Sequence, residues 1–311
     1  MDVSATESGP GMTPVKYRHS GKLGRAPLLY LVLVVVMFAI PSYLYGLVSS
    51  GIMYMKAKIL IMVLIGMGLG WATAWLGQTF RCRSTFWVTL VAAFGTAAGV
   101  YVGVAVFMET IFASGGAPLP PQFQTRAMLA DPSLWWSKLQ TINGAGYYAK
   151  YNTPVTGWEL WIDWGFELVF FCGGAIGVAF AAIRSKAYCE DCGKWLELKK
   201  SALRFVPPAD KALRKRVESG DLAPILGLPD QGATAAAGPH FRLDYVLCKD
   251  CGNMGTYRII SVTPGAKNPE SNLSSLMLLT HEAAPILGLM LENEKPGAAP
   301  PASPPKPESP A

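Results

Sequence analysis

Apolar residues form four long stretches in the first 183 residues of the chain, and these stretches predict four membrane-spanning helices. The hydrocarbon core of a bilayer is about 30 Å thick, so a helix needs about 20 apolar residues to cross it. The uncharged stretches at 27–48, 59–77 and 85–108 meet this requirement. The run at 168–183 is shorter, so we expect the fourth helix to begin upstream, near Trp164.

The composition supports a membrane domain followed by a water-soluble one. Charged residues make up only 15% of the chain and the mean hydropathy is +0.28, whereas an ordinary soluble protein has about 25% charged residues. Residues 1–183 carry 11 Lys and Arg and 7 Asp and Glu, while residues 184–311 carry 16 and 14. This distribution excludes a soluble enzyme, a coiled coil and a disordered chain.

The predicted fold is therefore a polytopic α-helical membrane protein, with a four-helix transmembrane bundle and a small C-terminal β domain. A cytosolic N-terminal tail (1–26) precedes the bundle (27–184), which contains one long external loop (114–158). A cytosolic domain (185–292) follows, and we expect the Pro/Ala-rich tail (293–311) to be disordered because it cannot bury a core.

Basic residues beside the helix ends predict that both termini are cytosolic, since cytoplasmic loops carry an excess of Lys and Arg. The basic residues on the predicted inner side are Lys16, Arg18, Lys22, Arg25, Arg81, Arg83, Arg184 and Lys186. Lys56 and Lys58 fall on the outer side and oppose this assignment. Four spans with both termini inside are self-consistent, and we expect the protein in the plasma (cytoplasmic) membrane.

Glycines recur at four-residue spacing within the predicted spans. They are Gly66 and Gly70, then Gly95, Gly99 and Gly103, then Gly173 and Gly177. A small residue at every fourth position lets two helix backbones approach closely, which drives helix packing in lipid. Packing within the bundle is the expected use of these faces, and homodimerisation through one of them is the alternative.

An acidic stripe marks the entrance of the fourth span. Glu159, Asp163 and Glu167 are spaced by four residues and share one helix face. Glu109, near the outer end of the third span, is a candidate fourth member. Carboxylates at this depth can hold a cation or exchange protons; alternatively, they only solvate the helix entrance. No Lys, Arg or His lies inside the predicted spans to pair with them.

Two Cys-x-x-Cys-Gly motifs carry the strongest chemical signal in the chain. Cys189 and Cys192 form the first motif, and Cys248 and Cys251 form the second. Two such turns can surround a metal ion with four thiolates, for which zinc is the expected ion and iron the alternative. The pair resembles the zinc ribbon superfamily over residues 187–262, although the 55 residues between the two motifs require an insertion.

The region around the motifs reads as a small β domain. Alternating apolar and polar residues predict strands at 195–205, 241–247 and 256–262, and residues 209–218 predict a helix. A six-residue sequence, APILGL, occurs at 223–228 and again at 284–289. Six residues are too few to indicate duplicated domains, so we expect two similar helical turns.

The sequence contains no phosphate-binding loop and no pattern of a hydrolytic triad. The leading hypothesis is a non-enzymatic scaffold or sensor that recruits a cytosolic protein partner through its metal-stapled domain. The alternatives are a small transporter or cation-responsive protein, or a membrane enzyme, each using the acidic stripe. The net charge after residue 183 is only +2, which does not favour nucleic acid as a partner. The bilayer itself is the other expected partner.

Overall fold

The computed structural model of the protein describes residues 14–279 with seven short gaps. The gaps are at 53–54, 115–118, 147, 151–152, 227–237, 252–253 and 268–269. The second APILGL sequence and the predicted tail lie outside the described residues. Two compact units are present: His19–Lys186 forms one, and residues 14–18 with residues 187–279 form the other. The predicted domain boundaries stay predictions.

Four helices of the first unit are long and apolar enough to cross a membrane, with a mean hydropathy of 2.0 or more in each. They are α1 (Pro27–Ser49), α2 (Met55–Thr79), α3 (Thr85–Ala113) and α6 (Gly157–Arg184). The last of them begins seven residues before the predicted start at Trp164, because its first two turns are amphipathic rather than uniformly apolar. The prediction of a four-span helical membrane protein with a small β domain is confirmed.

Helix packing in this unit uses the predicted glycine faces. A Cβ atom on Gly66 of α2 would lie 2.6 Å from the carbonyl oxygen of Phe171 on α6. A Cβ atom on Gly95 of α3 would lie 2.8 Å from the ring of Phe38 on α1. These glycines are therefore required for the α2–α6 and α1–α3 contacts. Gly173 and Gly177 have no atom within 4 Å of such a Cβ, so their face stays open.

Alanine at position 66 should separate α2 from α6 and lower the stability of the bundle by about 1–3 kcal/mol, as overpacking of a tight contact does. Gly68 is the matched control, because a Cβ there would meet nothing within 4 Å. Gly68→Ala should be neutral or stabilise the helix by up to about 1 kcal/mol. Thermal unfolding of both variants in detergent compares them. Equal midpoints would contradict the assigned α2–α6 contact.

The described residues between α3 and α6 contain several short helices and strands. These elements are a 3-10 turn (Pro121–Phe123), α4 (Thr125–Ala130), α5 (Pro132–Ala145), β1 (Ala149–Lys150) and β2 (Thr153–Pro154). Asp131 caps α5, accepting hydrogen bonds from the backbone N–H groups of Ser133 and Leu134. Trp135 then ties α5 to α3, because its Nε1–H donates to the carbonyl oxygen of Tyr101 at 3.2 Å.

The second unit consists of a small hairpin, a five-stranded antiparallel sheet and two short helices. The hairpin is β3 (Ala187–Cys189) with β4 (Lys194–Leu196). The sheet contains β5 (Lys199–Phe205), β6 (His240–Leu247), β7 (Gly255–Val262), β8 (Glu270–Asn272) and β9 (Met277–Leu279). Strand β7 pairs with β6 on one side and with both β8 and β9 on the other. The predicted strand at 195–205 is thus divided between β4 and β5.

The two faces of the sheet differ in chemistry because side chains alternate along β6. Phe241 and Leu243 join the apolar core, to which α7 (Lys211–Glu218) and α8 (Ala223–Leu226) contribute Val217 and Ile225. On the opposite face, Arg242 and Asp244 form a buried ion pair with Nε and Oδ1 2.7 Å apart. Arg242 also binds Glu270 of β8, with Nη1 and Oε1 2.7 Å apart.

Residues 14–18 add a short segment to the edge of this sheet. The backbone N–H of Leu278 donates to the carbonyl oxygen of Val15 at 2.8 Å. The N–H of Tyr17 donates to Leu276 at 2.9 Å. The Tyr17 hydroxyl accepts a hydrogen bond from the N–H of Tyr188. Part of the predicted N-terminal tail is therefore a structural element of the second unit. The sequence of residues 14–18 is too short and irregular to indicate this pairing.

Candidate functional sites: a four-cysteine cluster and an intramembrane polar cluster

The four motif cysteines lie at the ends of two antiparallel hairpins. Cys189 ends β3 and Cys192 lies in the turn to β4, where Gly193 has a φ of +67° that favours glycine. Its N–H donates to the carbonyl oxygen of Cys189 at 2.9 Å and closes the turn. Cys248 and Cys251 lie between β6 and β7, where the N–H of Cys248 donates to Met254 at 2.8 Å. Each turn directs its two sulfurs to one point.

The sulfur positions match a tetrahedral metal shell. The Sγ atoms of Cys189 and Cys251 are 3.6 Å apart, and those of Cys192 and Cys248 are also 3.6 Å apart. All four sulfurs lie within 4.8 Å of one another. A zinc ion with Zn–S bonds of about 2.3 Å requires sulfurs about 3.8 Å apart. A disulfide requires about 2.05 Å, and all four cysteines are free. The cluster can therefore hold a metal ion.

An apolar shell surrounds the cluster on one side. Cys189 and Cys248 are 0% and 3% exposed, while Cys192 and Cys251 are partly buried. The surrounding side chains come from both hairpins and from the N-terminal segment: Tyr17, Leu196, Leu198, Val246, Met254 and Leu276. On the outside, Lys194 and Asp250 link the two turns through an ion pair with Nζ and Oδ2 2.6 Å apart. The cluster thus joins the hairpin β3–β4 to the main sheet.

The pKa values of three of these thiols are shifted from the ordinary value of cysteine. Hydrogen bonds from the backbone N–H groups of Cys251 and Asp250 lower the pKa of the Cys248 thiol to about 7. Burial raises the pKa of Cys189, and a hydrogen bond with the Cys251 sulfur raises the pKa of Cys192. Metal binding would release the protons of these thiols, because only thiolates are ligands.

The acidic stripe lies on α6, and its members have different surroundings. Asp163 accepts a hydrogen bond from the Tyr148 hydroxyl, whose pKa is raised by burial and by this carboxylate. Glu159 is exposed at the start of the helix. Glu109 takes part in a separate contact, since its Oε2 accepts a hydrogen bond from the N–H of Thr125 at 2.7 Å and fixes the start of α4.

Glu167 has a basic neighbour that the sequence pattern does not reveal. Lys58 on α2 is only 5% exposed and interacts electrostatically with both Glu167 and Asp163. The Tyr45 hydroxyl of α1 faces the same Glu167 carboxylate. The expectation that no Lys, Arg or His lies within the spans is therefore wrong. Lys58 precedes the uncharged stretch by one residue, and helix α2 begins at Met55 and includes it.

The polar cluster of Lys58, Glu167, Asp163, Tyr45 and Tyr148 is thus a mixed acid–base group rather than a row of carboxylates. The basic Lys58 side chain offsets part of the negative charge of the Glu167 and Asp163 carboxylates, which a bound cation would otherwise neutralise. A cation or proton site formed by Glu159, Asp163, Glu167 and Glu109 stays a prediction.

A comparison of the chain with protein-family models, with curated proteins and with solved structures finds no match. A function for this protein must therefore be inferred from its fold, its four-cysteine cluster and its polar cluster.

Proposed function

We propose that this protein is a non-enzymatic membrane scaffold, in which four spans anchor a zinc-stapled cytosolic domain that recruits a protein partner. The closed shell of four sulfurs carries this proposal. Catalytic zinc sites keep one coordination position for water or substrate, whereas sites with four cysteine ligands are structural. Here all four positions would be filled by Cys189, Cys192, Cys248 and Cys251, each placed by a hairpin turn.

Zinc is the ion that this donor set favours. Four thiolates in a tetrahedral arrangement are typical of structural zinc, and the two hairpin turns resemble those of zinc ribbons. The helix α7 and strand β5 occupy the long insertion between the motifs, which explains how the wide spacing is accommodated. Iron is the alternative ion for the same ligands.

The fold supports placing both termini on one side of the membrane. Residues 14–18 precede the first span and residues 187–279 follow the last, yet they pair in one sheet unit. An even number of spans satisfies this requirement. Lys58, which opposed the predicted orientation, is buried beside Glu167. It is therefore not one of the exposed basic residues between α1 and α2 that bear on the orientation. Lys56 still opposes the assignment, but the eight basic residues beside the inner helix ends outnumber it and support a cytosolic location for the sheet unit.

The decisive experiment is purification of the full chain in mild detergent, with measurement of copurifying proteins and zinc on the same sample. We expect a specific partner with the unmodified chain and with Cys172→Ser, whose cysteine lies in α6 outside the cluster. We expect neither zinc nor partner with Cys248→Ser. A partner that remains bound to metal-free Cys248→Ser protein would contradict the role of the zinc-stapled domain in recruitment.

The orientation is tested separately by labelling single cysteines in intact cells. A label at the connection between α3 and α6 should react from outside, and one after residue 187 should react only after the membrane is opened. Reaction of both positions from the same side would contradict the four-span arrangement.

A further inference from the structure

We propose that the membrane unit contains a binding site for an uncharged amphiphilic lipid, with a hydrocarbon body and one hydrogen-bonding head group. A cavity of about 330 Å³ lies between α1, α2, α3, α5 and α6. This volume falls within the range of about 300–1,000 Å³ that is typical of small-molecule sites. The inference is independent of the proposed scaffold function, because every wall residue belongs to the unit His19–Lys186.

The walls of the cavity favour a hydrocarbon body. On the side of the spans they consist mainly of Met62, Ile65, Val100 and Phe171. Between α5 and α6 they consist mainly of tryptophans, and the rings of Trp136 of α5 and Trp161 of α6 stack with centroids 5.6 Å apart. This apolar part of the lining favours an apolar ligand over water.

The tryptophan wall is fixed in place. The Trp135 side chain donates to the carbonyl oxygen of Tyr101, and the Tyr101 hydroxyl donates to that of Met128 at 2.9 Å. Asn143, at the other end of α5, donates to the carbonyl oxygen of Gly157 at 2.9 Å. The helix α5 is therefore held to both α3 and α6. A ligand would meet a preformed wall and would need little reorganisation to bind.

The polar part of the wall selects the head group. Lys58, Glu167 and Tyr45 all line the cavity, together with the Ser49 hydroxyl. Because one basic and one acidic side chain share this lining, the polar wall has no excess of one charge to offer a ligand. A charged head group would be left uncompensated in a low-dielectric site. A hydroxyl or carbonyl head can exchange hydrogen bonds with the ammonium, carboxylate and hydroxyl groups present.

The ligand would enter from the bilayer. Leu168 lines the cavity and is also 44% exposed. Because an exposed apolar side chain of a spanning helix faces lipid, we place the opening of the cavity to the hydrocarbon region beside this residue. A tail longer than the cavity could extend outward at the same place.

The tryptophans that line the cavity allow ligand binding to be measured by the quenching of their fluorescence. Brominated amphiphiles with a twelve-carbon chain quench tryptophan fluorescence on contact, and three head groups separate the outcomes: an alcohol, a carboxylate and a trimethylammonium. On the detergent-purified full chain we expect saturable quenching by the alcohol. The two charged probes should bind roughly tenfold more weakly or worse, because each brings an unpaired charge into the membrane interior.

Two matched variants on α3 locate the quenching. Val100→Phe places a larger side chain in the cavity, whereas Val102→Phe makes the same change two residues on, where the side chain does not line it. Saturable quenching should disappear in the first variant and persist in the second. Quenching that never saturates, equal binding of all three probes, or an unchanged Val100→Phe would overturn the proposal. The comparison of head groups on the unmodified chain decides the matter even if Val100→Phe fails to fold.

Discussion

A Cys248→Ser variant should lose stoichiometric zinc and, with it, the folded state of the unit formed by residues 187–279. Structural zinc in small domains binds with an apparent free energy of about 10–16 kcal/mol, whereas an entire domain is stable by only about 5–15 kcal/mol. The cluster joins the hairpin β3–β4 to the main sheet, so its loss removes a cross-link between two parts of the unit. Metal analysis and limited proteolysis of the detergent-purified chain measure the two effects.

The control for this variant is already present in the chain. Cys172→Ser changes a cysteine of α6 that lies outside the cluster, so zinc content and protease resistance should stay at the level of the unmodified protein. Treatment with a strong chelator should reproduce the effect of Cys248→Ser. If the chelated protein kept a protease-resistant sheet unit, the metal would not be structural.

Replacing Lys58 with methionine should lower the stability of the membrane unit by roughly 1–3 kcal/mol. Lys58 is the buried basic neighbour of Glu167 and Asp163, so its removal leaves their charges with less compensation. We expect the lower end of this range, since Glu167 is only partly buried. The exposed neighbour Lys56 provides the control, and Lys56→Met should leave the midpoint of thermal unfolding in detergent almost unchanged.

The double variant Lys58→Met with Glu167→Gln tests the pairing itself. Both charges are then absent, so most of the lost stability should return. Glu167→Gln alone should be destabilising, because it leaves the buried ammonium of Lys58 with Asp163 as its remaining acidic neighbour. Losses that simply add in the double variant would show that Lys58 and Glu167 do not interact.

The elements that the sequence predicts well are those with a strong local pattern. The four spans follow from long, mostly uncharged stretches, and β6 and β7 follow from alternation. The four cysteines could be grouped because two Cys-x-x-Cys motifs restrict their geometry before any fold is known. The short strands β8 and β9 carry too few residues for a period to be recognised.

The polar cluster could not be predicted in the same way, because its members come from different helices. Lys58 belongs to α2, Tyr45 to α1 and Glu167 to α6, and only the packing of α2 against α6 brings the charges together. The nearest available signal was the position of Lys58, one residue before an apolar stretch. A lysine there reads equally well as a loop charge, and this is why it counted against the predicted orientation.

The edge segment formed by residues 14–18 has a consequence for the synthesis of the protein. This segment is made before the four spans, and it pairs with β9, which is made after them. An insertion error that left an odd number of spans in the bilayer would put the segment and β9 on opposite sides of it. The sheet can therefore be completed only in chains whose membrane insertion leaves an even number of spans.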